Sequence, residues 1–499
     1  MLTPGLLLVI VLSTLGGSFQ FYNCAVVNPS QRVITRWLNQ THMAPDSSDQ
    51  LTALFGVVAA ATTFGACLGS LLTQFLSERL GRRGSLILVG LISVIAGVLV
   101  AMSYSLNTPV LLILARLLFG LTLGVASGVV PLYLTECAPL NLRGAAGSAH
   151  QVCVAFADCI SLLIGMPFVL GSEQLWPLAL SVSGMAALPM SVGLFWCRES
   201  PRFLLSKGRV EEARKSLAFF VSESDMHNAE TQLNEEKIEK MEAETQSFGG
   251  KGRSPWLSLL RSPSTRRPLI LSLVMMLAQQ FTGCAAVFSF STDIFIQAGL
   301  EVETARLSTL GIGAAYFLST VPSIFLIERL GRRPLTLVQL TGCALSLSTL
   351  SLSIWLQESG IAPGASYGSI ASLVAFMCVY GLGSPVSWLI TTEIFLQEHR
   401  SRAVSASTFL SWFLAALVSL AYLPFQRAVG PALSFVPFIV VSVMCLIFLW
   451  YNLPETKNKT VQQLAALFVR RSMETETLSA GKSGGTYGSF DSSVQKATG

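Results

Sequence analysis

Charge is what this 499-residue chain is short of. Asp, Glu, Lys and Arg make up 12% of it, against about a quarter in a soluble globular protein, while 52% is hydrophobic. The shortage is local: apolar runs of membrane-spanning length recur between brief charged gaps, which excludes a soluble globular chain. Histidine is nearly absent, and His42, His150, His227 and His399 are scattered without metal-ligand or triad spacing. Nothing reads as an ATP-binding P-loop. An enzyme, a metal site, a cofactor and a nucleic-acid partner are therefore not expected; a small molecule and the lipid bilayer are the expected partners. The ten cysteines form no secreted disulfide pattern. Cys24, Cys67, Cys153, Cys159, Cys284, Cys343, Cys378 and Cys445 lie inside apolar runs, where they read as small hydrophobic filler. Residues 1–18 lack a basic leader and an obvious cleavage site, and their apolar run continues into Phe19-Gln20-Phe21-Tyr22. They read as a first span, with a cleaved signal peptide as the alternative.

What is present is a duplication. Glu78-Arg79-Leu80-Gly81-Arg82-Arg83 returns unchanged as Glu328-Arg329-Leu330-Gly331-Arg332-Arg333. Glu136 precedes Arg143, and Glu393 precedes Arg400, by the same interval. Arg198-Glu199-Ser200-Pro201-Arg202 and Pro454-Glu455-Thr456-Lys457 close the two halves. Matching charged fixtures in two halves of a membrane chain are the parallel-repeat signature of a rocking transporter.

The expected fold is an all-α membrane protein of twelve transmembrane helices in two pseudo-symmetric six-helix bundles. The spans run over about 5–23, 51–76, 84–104, 109–134, 147–170 and 175–197, then about 268–297, 305–327, 335–356, 367–392, 403–423 and 431–453. The domains follow: 1–197, a linker of short helices 198–267, 268–470, and a Ser/Gly/Thr-rich tail 471–499 expected to be disordered. Pro167, Pro322, Gly381, Gly383 and Pro385 fall within spans, and span ten reads as broken beside Ser384 and Pro385. The Lys/Arg bias places the hexapeptides, the linker and both termini on the cytoplasmic side. Asn39-Gln40-Thr41 then lies outside, where a glycosylation acceptor must be.

Simple positive-inside anchoring needs no matching acids at fixed spacing. Glu78, Arg82, Arg83, Glu136, Arg143, Glu199, Arg202, Glu328, Arg332, Arg333, Glu393, Arg400 and Glu455 are therefore read as interhelix or interbundle ion pairs. Half-withdrawn from water, such pairs can latch one of two discrete states.

These motifs resemble the sugar-porter branch of the major facilitator superfamily, together with Arg143-Gly144-Ala145, His150-Gln151, Gln279-Gln280-Phe281-Thr282-Gly283 and Thr392-Glu393-Ile394-Phe395. They look like the facilitative hexose transporters of animals, the GLUT type. Gly16–Phe21 and Leu389–Gln397 lean toward the branch that includes fructose-type carriers. The resemblance implies an uncoupled hexose carrier, for glucose and/or fructose, that works by alternating access at the plasma membrane. It places Gln151, Gln279 and Gln280 at sugar hydroxyls, and Trp388 and Trp412 at two pocket tryptophans. Ser384, Ser289 and Tyr316 complete the candidate site. Ala285, Ser289, Phe290 and Tyr316 stand where the family usually has other hydrogen-bonding groups, which implies an altered sugar preference.

Asp158 departs from the family. It lies seven residues after Gln151, on nearly the same helix face. A charge at a span centre costs about 2.5–3.5 kcal/mol on insertion scales, so it is not expected to face lipid. Three roles stay open: a buried protonated acid bonded to Ser161 or backbone, a substrate ligand, and a proton-coupling group. Proton symporters of this branch carry their acid in span one, where this chain has Asn23. The rival functions are a proton-coupled sugar or polyol symporter, an organic-anion (urate-like) carrier, and a non-transporting sugar sensor. The residues leave the oligomeric state open.

Overall fold

The computed structural model describes residues 3–41, 48–222, 226, 231, 263–361, 364–395, 397–457, 459, 463–464 and 467–468. The side chains of Arg143, Glu393 and Arg400 lie outside the described ones, as do the tail and most of 223–262. Every regular element among the described residues is helical. Among the described residues, eleven helices are long and apolar enough to cross a membrane. In chain order they are Pro4–Ala25, Gln50–Arg79, Gly81–Ser105, Pro109–Cys137, Trp176–Leu194, Thr265–Gln297, Val302–Leu330, Arg332–Glu358, Ser366–Thr391, Arg402–Val429 and Leu433–Asn452. Between the fourth and fifth of these lies Leu140–Ile164, whose apolar part is the shorter Ala149–Ile164. It makes twelve spans, hereafter numbered in chain order. The two hexapeptides are separated by six crossings and share one face, called here the basic face.

Three details differ from expectation. Span five ends at Ile164, so Pro167 lies in the turns beyond it rather than inside a helix. Span ten is a continuous helix through Pro385, Ser366–Glu393. The breaks fall instead at matching places in spans one and seven. Span one passes through a 3-10 turn at Ser18–Phe21, and span seven breaks at Gly283, whose φ of +88° is a left-handed conformation. After span one the chain stays helical through Val27–Gln40, and Asn39 is exposed near its end.

Without water between them, membrane helices gain by close backbone approach. Spans two and four do this: a Cβ on Gly69 would lie 2.2 Å from the Leu121 carbonyl oxygen, and one on Gly120 would lie 2.0 Å from that of Thr62.

The buried apolar side chains divide unevenly. On the side opposite the basic face one cluster runs through both bundles, from Tyr22, Trp37, Phe119 and Trp176 to Phe290, Phe295, Phe376 and Phe435. Toward the basic face there are two clusters. One holds Leu6, Leu86, Tyr133 and Leu194 of the first half, and the other holds Leu271, Leu335, Ile390 and Leu449 of the second. Hydrogen bonds tie the halves together on the side opposite the basic face. Asn28 Nδ2 donates to the Phe288 carbonyl (2.8 Å) and Ser291 Oγ (2.7 Å), and Thr292 N donates to Asn28 Oδ1 (3.2 Å). Arg427 donates to Thr52 Oγ1 on the same side.

Candidate functional site

The doubled hexapeptide has a structural cause. Gly81 and Gly331 adopt φ of +81° and +92°, turning the chain sharply into spans three and nine. Each turn exposes helix N-terminal N–H groups, and a carboxylate fills each position. Glu199 accepts from the backbone N–H of Arg82 (2.9 Å), Arg83 (3.1 Å) and Ser200 (2.9 Å). Glu455 accepts from Arg332 (2.9 Å), Arg333 (3.0 Å) and Lys457 (2.9 Å). A side chain at either glycine would collide with that carboxylate: a Cβ on Gly81 would lie 2.3 Å from Glu199 Oε2, and one on Gly331 would lie 2.7 Å from Glu455 Oε2. The adjoining arginines run the other way. Arg83 Nη1 donates to the Cys197 carbonyl (2.8 Å) and Arg333 Nη2 to the Trp450 carbonyl (2.7 Å), each satisfying the end of a sixth span. Partial burial pushes the Glu455 carboxyl up, but the N–H donors of Arg332, Lys457, Arg333 and Thr456 together hold it below the ordinary glutamate range.

Arg82 Nη2 pairs with Glu136 Oε1 at 2.8 Å, and Ser200 Oγ donates to Glu136 Oε2 at 2.5 Å. Arg332 Nη2 lies 3.5 Å from Glu328, its neighbour one turn away. Glu78 is exposed and accepts from Gln74 Nε2 at 3.0 Å, so its described partner is an amide rather than a cation. Arg202 lies in the short helix Pro201–Ser206. The described ion pairs among these fixtures join elements of one half, not the two halves to each other.

Deeper in, each broken span carries a polar knot. Around the first break, Gln20 Oε1 accepts from Ser93 Oγ (3.0 Å) and Thr122 Oγ1 (3.2 Å), and Ser183 Oγ donates to Asn23 Oδ1 (3.0 Å). Arg116 Nη1 donates to the Asn23 carbonyl at 2.8 Å. Around the second break, Gln279 Nε2 donates to Tyr380 Oη (2.8 Å), while its Oε1 accepts from Gln339 Nε2 (2.9 Å) and Ser387 Oγ (3.2 Å). The described side-chain hydrogen bonds of Gln279 thus all stay within the second half. Sequence reasoning missed Gln20, Arg116, Gln339 and Tyr380. A lone arginine inside an apolar run was the available signal for Arg116; the other three have none, because a knot needs partners from several spans.

The junction itself gathers most of the remaining candidates. Gln280 Nε2 donates to Ser411 Oγ (2.8 Å), and its Oε1 lies 3.7 Å from Cys284 Sγ. Trp412 reaches across to Phe21, with ring centroids 5.7 Å apart, and packs with Ala66, Cys67 and Leu123 of the first half. Asp158 is 5% exposed and lies within electrostatic reach of Cys24, Cys284 and Tyr316. Ser161 Oγ donates to the Asp158 backbone carbonyl (2.6 Å) rather than to its carboxyl. Two buried polar atoms here have no partner among the described residues: Asp158 Oδ1 and Trp412 Nε1. One accepts and the other donates, the pair of functions that a hydroxyl group satisfies. Gln151 is half-buried, has no side-chain hydrogen bond among the described residues, and precedes Asp158 by two helical turns. Tyr316 is buried against Phe288 and Tyr380, at centroid distances of 5.3 and 5.7 Å, with Ser384 beside its hydroxyl. Ser289 is buried and Trp388 half-buried. His150 is held by Ser18 (Oγ to Nδ1, 2.7 Å).

This architecture is shared with known proteins. Residues 9–468 match the family described as sugar (and other) transporter. The chain is 34% identical over 473 residues to mouse solute carrier family 2, facilitated glucose transporter member 3, covering 93% of both chains. It is also 34% identical over 477 residues to mouse member 4, covering 93% of this chain and 91% of that one. Among solved structures it resembles the proton:xylose symporter XylE bound to 6-bromo-6-deoxy-D-glucose, with TM-score 0.75 and 22% identity over 93% of this chain and 99% of that one. The inward-open xylose transporter XylE from E. coli gives a TM-score of 0.72, again at 22% identity and the same coverage. Both are major facilitator superfamily folds. With nearly its whole length matched, the chain belongs to the sugar transporter family, whose members are carriers rather than enzymes.

Proposed function

We propose that the protein is a facilitative, uncoupled hexose carrier for glucose, fructose or both, working by alternating access at the plasma membrane. The observations that support the reading are that Asp158 of one half lies within electrostatic reach of Cys284 and Tyr316 of the other, and that Trp412 of the second half packs against Phe21 of the first. Gln151, two turns before Asp158, and Gln280, bonded to Ser411 beside Trp412, are the further groups we assign to the sugar. An acceptor and a donor left without partners there suit a ring of hydroxyls, and Trp412 and Trp388 offer apolar surface to its faces. The resemblance to glucose transporters supports the same reading.

The single apolar cluster on one side and the divided pair on the other favour a state sealed opposite the basic face and parted toward it. In this state the charged fixtures hold their own halves together. In the opposite state the same face closes, and Arg143, Glu393, Arg400 and Arg202 are the groups we assign to the contact between halves. The Lys/Arg bias makes the basic face and both termini cytoplasmic. Asn39, exposed at the far side, is then the glycosylation acceptor. The halves divide at 1–197 and 268–470 about the 198–267 linker.

Reconstitution in liposomes with labelled glucose, fructose and urate, each with and without a pH gradient, tests the proposal. Hexose equilibration indifferent to the gradient supports it; flux of urate alone, or binding with no flux, sinks it. One observation favours a second reading: the partnerless Asp158 carboxyl is also what a proton-coupled carrier needs. Uphill hexose accumulation on an imposed pH gradient would replace the first reading by that one.

A further inference from the structure

The first copy of the hexapeptide is roofed by the helices Pro201–Ser206 and Val210–Phe220, which follow span six. Between this roof and the ends of spans two and three is a cavity of about 480 Å³. Arg79, Arg83, Arg198, Lys207 and Arg209 line it, against the carboxylates of Glu199 and Glu212. Neither carboxylate balances the rest. Glu199 is taken up by the backbone N–H groups that start span three, and Glu212 holds Arg209 through two bonds of 2.7 and 2.5 Å. Arg79, Arg198 and Lys207 have no carboxylate partner among the described residues. Arg79 lies over the Phe75 ring at 4.4 Å and Lys207 over the Phe203 ring at 5.7 Å, contacts that orient a cation without neutralising it.

Large apolar side chains stand exposed at the same span ends. Leu80, in the lining, is 48% exposed, and Phe195 and Trp196, just before Arg198, are 63% and 71% exposed. Aromatic side chains at a span end with cations beside them match the level of phosphate headgroups.

We propose that this cavity binds the phosphorylated headgroup of an anionic lipid in the leaflet on the basic face, with the acyl chains resting on Phe195, Trp196 and Leu80. The headgroup fills the space between the span ends and the roof, so binding ties the linker helices to the first bundle. The site is separate from the sugar junction and does not depend on which sugar is carried.

The test uses the full-length protein and measures binding apart from transport. The probes are phosphatidylcholine vesicles with and without phosphatidylinositol bisphosphate, and soluble inositol trisphosphate. Wild type is expected to bind the bisphosphate vesicles well above phosphatidylcholine alone. Each cation removed should weaken binding about fivefold, the factor that corresponds to ~1 kcal/mol per basic residue near an anionic surface, so R198Q with K207Q should lose about 25-fold. R198Q and K207Q singly report the same loss in steps, and R32Q on the opposite face should change nothing. Equal binding of the two vesicle types, or a double variant that binds like wild type, overturns the proposal. Soluble inositol trisphosphate binding as tightly as the vesicles, with the same dependence on Arg198 and Lys207, overturns the lipid as the ligand.

Discussion

Replacing Glu455 by Gln removes one charge and turns one acceptor into a donor, at a position where three backbone N–H groups converge within 3.0 Å. A hydrogen bond to a charged acceptor contributes about 1.5–3 kcal/mol and a neutral one about 0.5–1.5. The amide keeps some of these bonds and leaves at least one N–H facing its own NH2. Because the carboxylate is only partly buried, the loss is discounted to about 2 kcal/mol. At about 2–4 °C per kcal/mol for a unit of one bundle's size, Tm should fall by about 4–8 °C. The assay is thermal unfolding of the detergent-solubilised protein followed by size-exclusion fluorescence. E199Q should lose a similar amount, because Glu199 makes the matching three contacts in the first half. The pH dependence has a definite sign. Glu455 is held below its ordinary range, so its contribution is complete above its unfolded value near 4.5 and is lost as pH falls through its folded value. The gap between wild type and E455Q should therefore be full at neutral pH and close on acidification below about 4.5. Wild-type Tm in both variants, or a gap that widens in acid, would refute the capping account.

D158N keeps the shape but replaces the carboxyl by an amide, and sugar affinity read from tryptophan quenching should fall severalfold, the loss of one neutral hydrogen bond of about 0.5–1.5 kcal/mol; unchanged affinity at every pH removes Asp158 from the site. N28A deletes three bonds across the seal opposite the basic face. Modification of Cys24 by an impermeant thiol reagent added on that side should accelerate severalfold as the sealed state loses about 1–3 kcal/mol; an unaltered rate means those bonds do not hold the seal. G381A places a Cβ 2.1 Å from Ser319 Oγ and 2.9 Å from the Tyr316 carbonyl oxygen, prying spans eight and ten apart. It should lower stability by about 1–3 kcal/mol, measured as a Tm shift, and an unshifted Tm would show that the helices separate freely.

The twelve spans, their grouping into two halves and the paired fixtures were legible from one line of residues. Lipid demands long unbroken apolar runs, and a duplication leaves its copies at matching places. The same line misjudged the backbone breaks. It put one at Pro385, where the helix runs on, and overlooked Gly283, although Gly283 stood in a motif already singled out. A proline forfeits only its own N–H bond, whereas a left-handed φ redirects the chain, and only coordinates tell which occurred. It read the Arg and Glu fixtures as interhelix or interbundle pairs; the described pairs join elements within one half, and Glu199 and Glu455 cap helix N–H groups, because a carboxylate satisfies helix N–H groups as well as it satisfies a guanidinium. Gln279 and Gln280 are neighbours of one residue type, and nothing local separates them. The helix turns by about 100° per residue, so one bonds to Tyr380, Gln339 and Ser387 and the other to Ser411, next to Trp412. Composition and repetition thus determined what kind of protein this is. Which polar groups are spent on the scaffold and which are left for a ligand was decided only when side chains from five or more spans met.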